Sequence, residues 1–246
     1  MKRADQHCSA GNLLTSLIRI PSVNPEGDPG TDKENTGEEK MARAVGSFLE
    51  DLGAKVRLEE VMPGRPNVVA AFPGGDKKPA ILLGPHLDTV GVGAMSINPF
   101  GGESEGGRIY GRGACDTKGT MAAMLWALKE IGPKGIANLD IQVHFAGFMG
   151  EETGQPGSRQ FARDYAGKYA FALVGEPTRC QIVHKHKGTL WLELIATGKT
   201  AHGSTPERGE NAILKMAKMV TLIEERLSPQ FSAECFHDTV LGRPTI

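Results

Sequence analysis

The sequence predicts an α/β fold built on a central mixed, largely parallel sheet. Short apolar runs typical of buried strands alternate with stretches whose apolar residues recur at helical spacing. Acidic or histidine residues stand at or just beyond the ends of several of these strands. The alternation favours helices packed on a sheet with parallel neighbours, and ligands of such sheets bind beyond the carboxyl ends of the strands.

Helices are predicted where apolar residues recur every three or four positions between capping and stopping residues. The first helix begins after Ser9 or Asn12, either of which could cap it. The second begins at a capping box formed by Thr36 and Glu39 and ends at Gly53. The apolar faces of the four predicted helices lie in Leu13–Ile18, Met41–Leu52, Met121–Ile131 and Ile213–Ile223.

Strands are predicted from short apolar or alternating runs bounded by turn residues. Those of the N-terminal part are Val56–Val61, Asn67–Phe72, Ala80–Leu83, Leu139–Phe145 and Phe171–Val174. From about Gln181 the pattern changes: residues 182–197 are predicted as one long strand, and residues 231–246 as the start of another. We therefore expect a first domain over residues 1–180 and a partial strand–helix–strand domain over residues 181–246.

Composition excludes several classes of protein. The 28 basic and 29 acidic residues give a net charge of −1, which excludes a strongly basic nucleic-acid binder and gives no membrane-surface signal. No apolar run approaches the roughly 18 residues of a spanning helix, and the N-terminus lacks the apolar core of a signal peptide. The four cysteines are far apart and are expected to be free thiols. These observations predict a cytoplasmic protein without nucleic-acid or membrane partners.

His86 and Asp88 follow a predicted strand, two positions apart. In an extended segment such residues project to the same face, and a metal-bound imidazole usually donates its other N–H to a carboxylate. The pair therefore suits a metal ligand and the residue that orients it. A turn histidine beside a capping aspartate is the alternative, which the pair taken alone favours.

Four further acidic residues, at three places in the sequence, are candidates for the site. Asp116 precedes a predicted helix and could bridge two cations, or it could cap that helix. Glu151 and Glu152 repel one another unless a cation or proton compensates, so one could bind a metal while the other handles protons of water. A solvated acidic loop is the alternative for this pair, and Glu176 allows the same two interpretations.

Other catalytic motifs are incomplete. The sequence contains neither His-Glu-x-x-His nor Gly-x-Ser-x-Gly. Residues 198–200 resemble the end of a phosphate-binding loop, but the upstream position that needs glycine is Glu193. A nucleotide-binding α/β protein therefore stays a hypothesis, although the sequence lacks the phosphate-binding loop that such a protein needs.

Five sequence blocks, taken in order, resemble those of the M20 metallopeptidases, the family that includes acetylornithine deacetylase and succinyl-diaminopimelate desuccinylase. The blocks share glycines beside acidic or histidine residues, and the resemblance runs from about residue 10 to the last residue. They are Gly84–Val90, Tyr110–Gly119, Glu151–Gly154, Gly175–Thr178, and Ala201–Ser204 with Arg208–Ala212.

The resemblance implies a dinuclear metal site. His86 and Glu176 would bind the first ion, Glu152 would bind the second, and Asp116 would bridge the two, with a cis peptide bond to the next residue. The two divalent ions would be zinc, with cobalt or manganese as alternatives.

The resemblance also implies roles for three residues that do not bind metal. Asp88 would orient the ligand His86, and Glu151 would act as general base and acid. His202 would contact the substrate carbonyl in a neighbouring active site, across a homodimer.

The fold implied is a zinc-peptidase-like catalytic domain with a partial α+β lid and dimerisation domain. The function implied is hydrolysis of the amide bond of N-acyl amino acids or short peptides, in amino-acid biosynthesis. Family members run well past Ile246, where the rest of the lid and a final histidine ligand are expected. The alternative is therefore a truncated, catalytically incomplete remnant that binds metal or dimerises.

Overall fold

The computed structural model describes residues 9–27, 30–74, 79–231 and 237–246. The chain divides into two compact units, Met1–Arg179 and Cys180–Ile246. The elements of the first unit are α1 (Ala10–Ile18), α2 (Glu39–Asp51), β1 (Lys55–Met62), β2 (Arg65–Ala71), β3 (Ala80–Pro85), β4 (Glu103–Glu105), β5 (Arg108–Tyr110), α3 (Lys118–Ala137), β6 (Gln142–Gly147), α4 (Pro156–Asp164) and β7 (Tyr169–Gly175). The second unit contains α5 (Ala212–Leu222), a π-helical turn (Ile223–Leu227) and α6 (Ser228–Phe231).

The central sheet is mixed and has the strand order β1-β2-β6-β3-β7. Strand β2 pairs antiparallel with β1 and with β6, whereas β3 pairs parallel with β6 and with β7. The predicted α/β fold with a central mixed sheet is confirmed, with the parallel part confined to three strands. Because parallel strands end at the same edge, the residues after β3, β6 and β7 are brought together there.

Helices cover both faces of this sheet, as the alternation of side chains along each strand requires. Val68 and Phe145 face a large apolar core together with residues of α1, α2 and α3. Val69 and Ala146, their neighbours in sequence, face a smaller core formed with Phe161 of α4. The sheet is therefore the middle layer of three, and it is held by apolar contacts on both sides.

The helix ends confirm some capping predictions and correct one. The Ser9 hydroxyl accepts a hydrogen bond from the Asn12 amide (3.1 Å), so Ser9 is the cap of α1. The predicted capping box at Thr36 is wrong: the Thr36 hydroxyl donates to the Lys33 carbonyl (2.8 Å), and Glu38 occupies the cap position of α2 without a side-chain capping bond. Glu39, the other residue of the predicted box, accepts hydrogen bonds from Arg43 instead.

The second unit differs most from the sequence prediction. Residues 182–197, predicted as a long strand, form no strand, and Trp191 is 90% exposed. An apolar, β-branched pattern cannot by itself supply the partner that a strand needs for its hydrogen bonds. Of the strand predicted at 231–246, residues 232–236 lie outside the described residues, and residues 237–246 form a turn closed by a bridge between Asp238 and Gly242.

The predicted helix of the second unit is present as α5. Its cap is Asn211, whose side-chain oxygen accepts hydrogen bonds from the Ile213 and Leu214 amides (2.9 and 3.2 Å). Within the described ranges, no helix is both long and apolar enough to cross a membrane.

Candidate metal centre

His86 lies just beyond the end of β3, and its ring is fixed from both sides. The side chain is almost fully buried, with 2% exposed. The ring Nδ1 lies 3.0 Å from the main-chain carbonyl of Asp88, which can only accept, so Nδ1 carries the hydrogen. The opposite nitrogen, Nε2, lies 3.0 Å from Oδ1 of Asp116. The orientation therefore presents Nε2 to the carboxylates, as a metal-binding histidine does.

Asp88 is completely buried and accepts three hydrogen bonds through its carboxylate. Its donors are the side-chain amide of Asn24 (2.7 Å) and the backbone amides of Glu151 (3.0 Å) and Glu152 (3.1 Å). Its Oδ1 also lies 3.4 Å from Nδ1 of His86, a longer contact than that of its own main-chain carbonyl. Asp88 thus contacts the histidine as predicted, and it also holds the acidic loop in place.

Asp116 stands at the end of the glycine-rich turn that leads into α3, and its side chain is 52% exposed. The residue at the cap position of α3 is Thr117, so the alternative of Asp116 as a helix cap is excluded. The Asp116–Thr117 peptide bond is cis, as the family resemblance implied. The Thr117 hydroxyl donates to the carbonyl of Gly175 (2.7 Å), which ties this turn to the end of β7.

Three of the predicted ligands meet. One ligand atom each of His86, Asp116 and Glu152 lies within 4.8 Å of the other two. One imidazole nitrogen and two carboxylate oxygens are a donor set that suits zinc and other divalent transition metals. The residues therefore fit a metal ion.

The other predicted site residues lie beside this group or in the second unit. Glu151 precedes a ligand of the group, and its carboxylate accepts a hydrogen bond from the side chain of Gln155 (2.8 Å). Glu176, directly after β7, is half-buried and is not part of the three-residue group. His202 belongs to the second unit, where its Nδ1 is bonded to Ser204.

The charges of the site are strongly coupled. Burial acts to lower the pKa of His86, but hydrogen bonds to Asp116 and Asp88 outweigh it and raise that pKa to about 10. The pKa of Glu152 is raised to about 7, first by burial and then by the neighbouring carboxylates, against the opposing effect of His86. The pKa of Glu176 is also raised, mainly by burial. Negative charge is thus in excess here, and protons or a cation must compensate it.

A cavity of about 340 Å³ opens beside the group and includes Asp116 and Glu152 in its wall. Apolar side chains form much of the remaining wall: Val90, Met95, Ile97 and Ile109. Its volume is in the range of small-molecule sites, which are mostly apolar with a few polar groups. The geometry therefore provides space for a small molecule directly against two proposed metal ligands.

Sequence reasoning missed the residues that support this site. Asn67 and Glu38 accept hydrogen bonds from amides of the loop that carries Glu151 and Glu152. Asn24 and Arg65 support this loop indirectly, by donating to Asp88 and to Glu38. None of them belongs to the sequence blocks that carry the family resemblance. The Thr36 and Glu39 pattern lies next to Glu38 in the sequence, but it predicted a helix cap and not a contact with this loop.

A mixed α/β sheet with a histidine–carboxylate group at its parallel edge is an arrangement that can hold a metal ion. Residues 82–237, well over half of the chain, match the family model for peptidase family M20/M25/M40. The protein belongs to this family, and the resemblance noted in the sequence is confirmed.

Curated relatives and solved structures agree with this assignment. The acetylornithine deacetylase of Proteus mirabilis is 32% identical over 95% of this chain and 59% of its own length. That of Edwardsiella ictaluri is 31% identical over 82% of this chain and 51% of its own length, so the chain spans about half of these relatives.

Two solved structures show the fold. A M20 family metallo-carboxypeptidase from Sulfolobus solfataricus superposes with a TM-score of 0.57 at 25% identity, covering 68% of this chain and 37% of the other. A tripeptidase from Staphylococcus aureus superposes with a TM-score of 0.59 at 23% identity, covering 86% and 55%.

Proposed function

We propose that the protein is a metal-dependent hydrolase that cleaves the amide bond of N-acyl amino acids or short peptides. The observation that carries the proposal is the convergence of His86, Asp116 and Glu152 at the parallel edge of the sheet, beside a cavity. Membership of the M20 family supports amide hydrolysis. The similarity to acetylornithine deacetylases supports an N-acetylated amino acid as the substrate, with a role in amino-acid biosynthesis. The structural similarity to a tripeptidase leaves short peptides as the alternative substrate.

The proposed metal ligands are His86, Asp116, Glu152 and Glu176. We assign them to two divalent ions, with zinc as the first choice and cobalt or manganese as alternatives. When bound, such ions polarise a carbonyl and make water more acidic. Carboxylates outnumber the basic groups around His86, and this excess of negative charge supports the binding of divalent cations.

Glu151 is the proposed proton carrier. Its backbone amide donates to Asp88, and its carboxylate accepts a hydrogen bond from the side chain of Gln155 in the same loop. It is therefore placed beside Glu152 and can take a proton from the attacking water and give it to the leaving amine. We also propose that His202 contacts the substrate across a homodimer, as the family resemblance implies. The cytoplasmic location stays a prediction from the sequence.

Metal titration and an N-acetyl amino acid assay on the same preparations test the proposal. Asp116→Asn should weaken metal binding, because it removes charge from a ligand. Glu151→Gln should keep metal binding and lose turnover by roughly 10²–10⁴-fold, the usual contribution of proton transfer. Asp140→Asn is the matched control, because it makes the same change at an exposed carboxylate between α3 and β6.

The outcomes separate the candidate functions. Saturable metal binding with no hydrolysis by the wild-type chain would favour the alternative, a chain that binds metal without catalysis. Equal, mild effects of Asp116→Asn and Glu151→Gln on metal binding and turnover would contradict the proposed roles.

A further inference from the structure

The carboxylates Glu151 and Glu152 lie on a loop whose backbone is held by side chains from distant parts of the fold. Four consecutive amides of this loop, residues 149–152, donate to side-chain oxygens. The Met149 amide donates to Asn67 (3.0 Å), and the Gly150 amide donates to Glu38 (3.1 Å). The next two amides donate to Asp88, as described above. The loop is thus fixed through its backbone and not through the side chains of Glu151 and Glu152.

The hold at Gly150 comes from a buried ion pair. The Arg65 guanidinium donates two hydrogen bonds to Glu38, from Nε to one carboxylate oxygen (2.8 Å) and from Nη2 to the other (2.7 Å). The side chain of Glu38 is fully buried and that of Arg65 is 9% exposed. The oxygen that receives Nη2 also receives the Gly150 amide, so the ion pair and the loop share one atom.

Arg65 also connects to the far end of the loop. Its Nη1 donates to Glu26 (3.3 Å), whose other carboxylate oxygen accepts from the hydroxyl of Thr153 (3.2 Å). Gly150 itself has a φ of +68°, and a Cβ there would lie 2.9 Å from Pro156, so the backbone is closely packed. The guanidinium therefore links both ends of the segment that carries Glu151 and Glu152.

A contribution to fold stability does not by itself explain why Glu38 and Arg65 form a buried ion pair. A buried ion pair often adds little stability relative to apolar residues of the same size, because desolvation offsets the attraction. A bidentate pair does, however, fix the carboxylate in one orientation. Here that orientation decides where the Gly150 amide sits, one residue before the proposed proton carrier and two before a proposed metal ligand.

We propose that Glu38 and Arg65 are a positioning pair: they set the backbone at Gly150 and thereby aim the carboxylates of Glu151 and Glu152. The inference rests on the proposed function for what these carboxylates do, although the hold on the loop does not depend on bound metal. The geometry of the guanidinium is essential, since a lysine at position 65 would keep the charge but could not make two parallel bonds to Glu38.

Hydrogen exchange of the metal-free chain tests the hold on the loop. Glu38→Gln and Arg65→Lys should each speed exchange of the amides of residues 149–152 roughly tenfold or more, because a hydrogen bond to a charged group is weakened or lost. Arg65→Lys is the milder change and covers the case in which Glu38→Gln does not fold. Two controls lie on α2: Val45→Ala, which destabilises the core, and Arg43→Gln, which breaks an exposed pair with Glu39.

Cobalt titration followed by visible absorption tests the orientation of the Glu151 and Glu152 carboxylates. The spectrum of bound Co²⁺ depends on the geometry of its ligands. Glu38→Gln and Arg65→Lys should shift the absorption bands and weaken Co²⁺ binding roughly tenfold or more. Val45→Ala should leave the spectrum unchanged even when its loss of stability matches that of the two variants.

The outcomes separate this inference from the proposed function. Exchange rates and cobalt spectra that match those of Val45→Ala would overturn the positioning role. Failure of the wild-type chain to bind cobalt would instead overturn the metal site, while faster loop exchange in the two variants would still support the hold of Glu38 and Arg65 on the loop.

Discussion

Replacing Asp88 by asparagine removes one negative charge but preserves the size of the side chain. The main-chain carbonyl of residue 88, which accepts from Nδ1 of His86, is unaffected by the change. The imidazole therefore keeps its main orienting contact. The substitution acts instead on the three hydrogen bonds that the Asp88 carboxylate accepts, two of which hold the backbone of Glu151 and Glu152.

The size of the effect can be worked out from those bonds. An asparagine side chain has one accepting oxygen, whereas both oxygens of Asp88 accept. In either orientation of the amide, at least one donor of the native structure faces an N–H group instead of an oxygen. Asn24 cannot compensate by turning its own amide, because its oxygen already accepts from the Glu26 amide (3.0 Å). Losing one hydrogen bond to a charged group and leaving its donor buried costs about 2–3 kcal/mol.

Denaturant unfolding and metal titration of Asp88→Asn measure the two consequences. The free energy of unfolding should fall by about 2–3 kcal/mol, and metal affinity should fall because the loop that carries Glu152 is less well held. Asp140→Asn, a change of the same charge at an exposed site, should stay within about 0.5 kcal/mol of wild type. An Asp88→Asn protein with wild-type stability and metal affinity would refute the reasoning that this carboxylate holds the acidic loop.

Two further predictions concern the support of the site. Lys118 is buried, and its ammonium donates to the Ile20 carbonyl (2.8 Å); burial lowers its pKa to about 7. Because the unfolded chain keeps this proton up to about pH 10.4, wild-type stability should rise between pH 7 and pH 10 by roughly 3–4 kcal/mol from this group. The pH-dependent unfolding of Lys118→Met should lack that rise. Gly157→Ala would place a Cβ 2.4 Å from the side-chain oxygen of Asn67 and 2.5 Å from the Met149 carbonyl. Denaturant unfolding should therefore show a free energy of unfolding lower by about 1–3 kcal/mol. A variant as stable as wild type would show that the backbone there can move aside.

The local structure of the first unit was predictable because it depends on residues close in sequence. The apolar runs located β1, β2, β3, β6 and β7 to within a few residues, since side-chain alternation and turn residues are local signals. Ser9 was among the predicted caps of α1 because a cap bonds to an amide only three residues away. The same local approach failed at residues 182–197, where a strand-like pattern pairs with no strand among the residues that the structure describes.

The sequence by itself determined the fold class and the identity of the residues at the strand ends, including His86, Asp116 and Glu152. The tertiary structure alone decided which of the predicted ligands form one group, and that Glu176 stands outside it. It also decided what holds the acidic loop, because the contact of Glu38 with Gly150 spans 112 residues of the chain. No periodicity or motif encodes such a contact. It forms because β2 and β6 pair in the sheet, which brings Arg65 and its partner Glu38 beside the Gly150 amide.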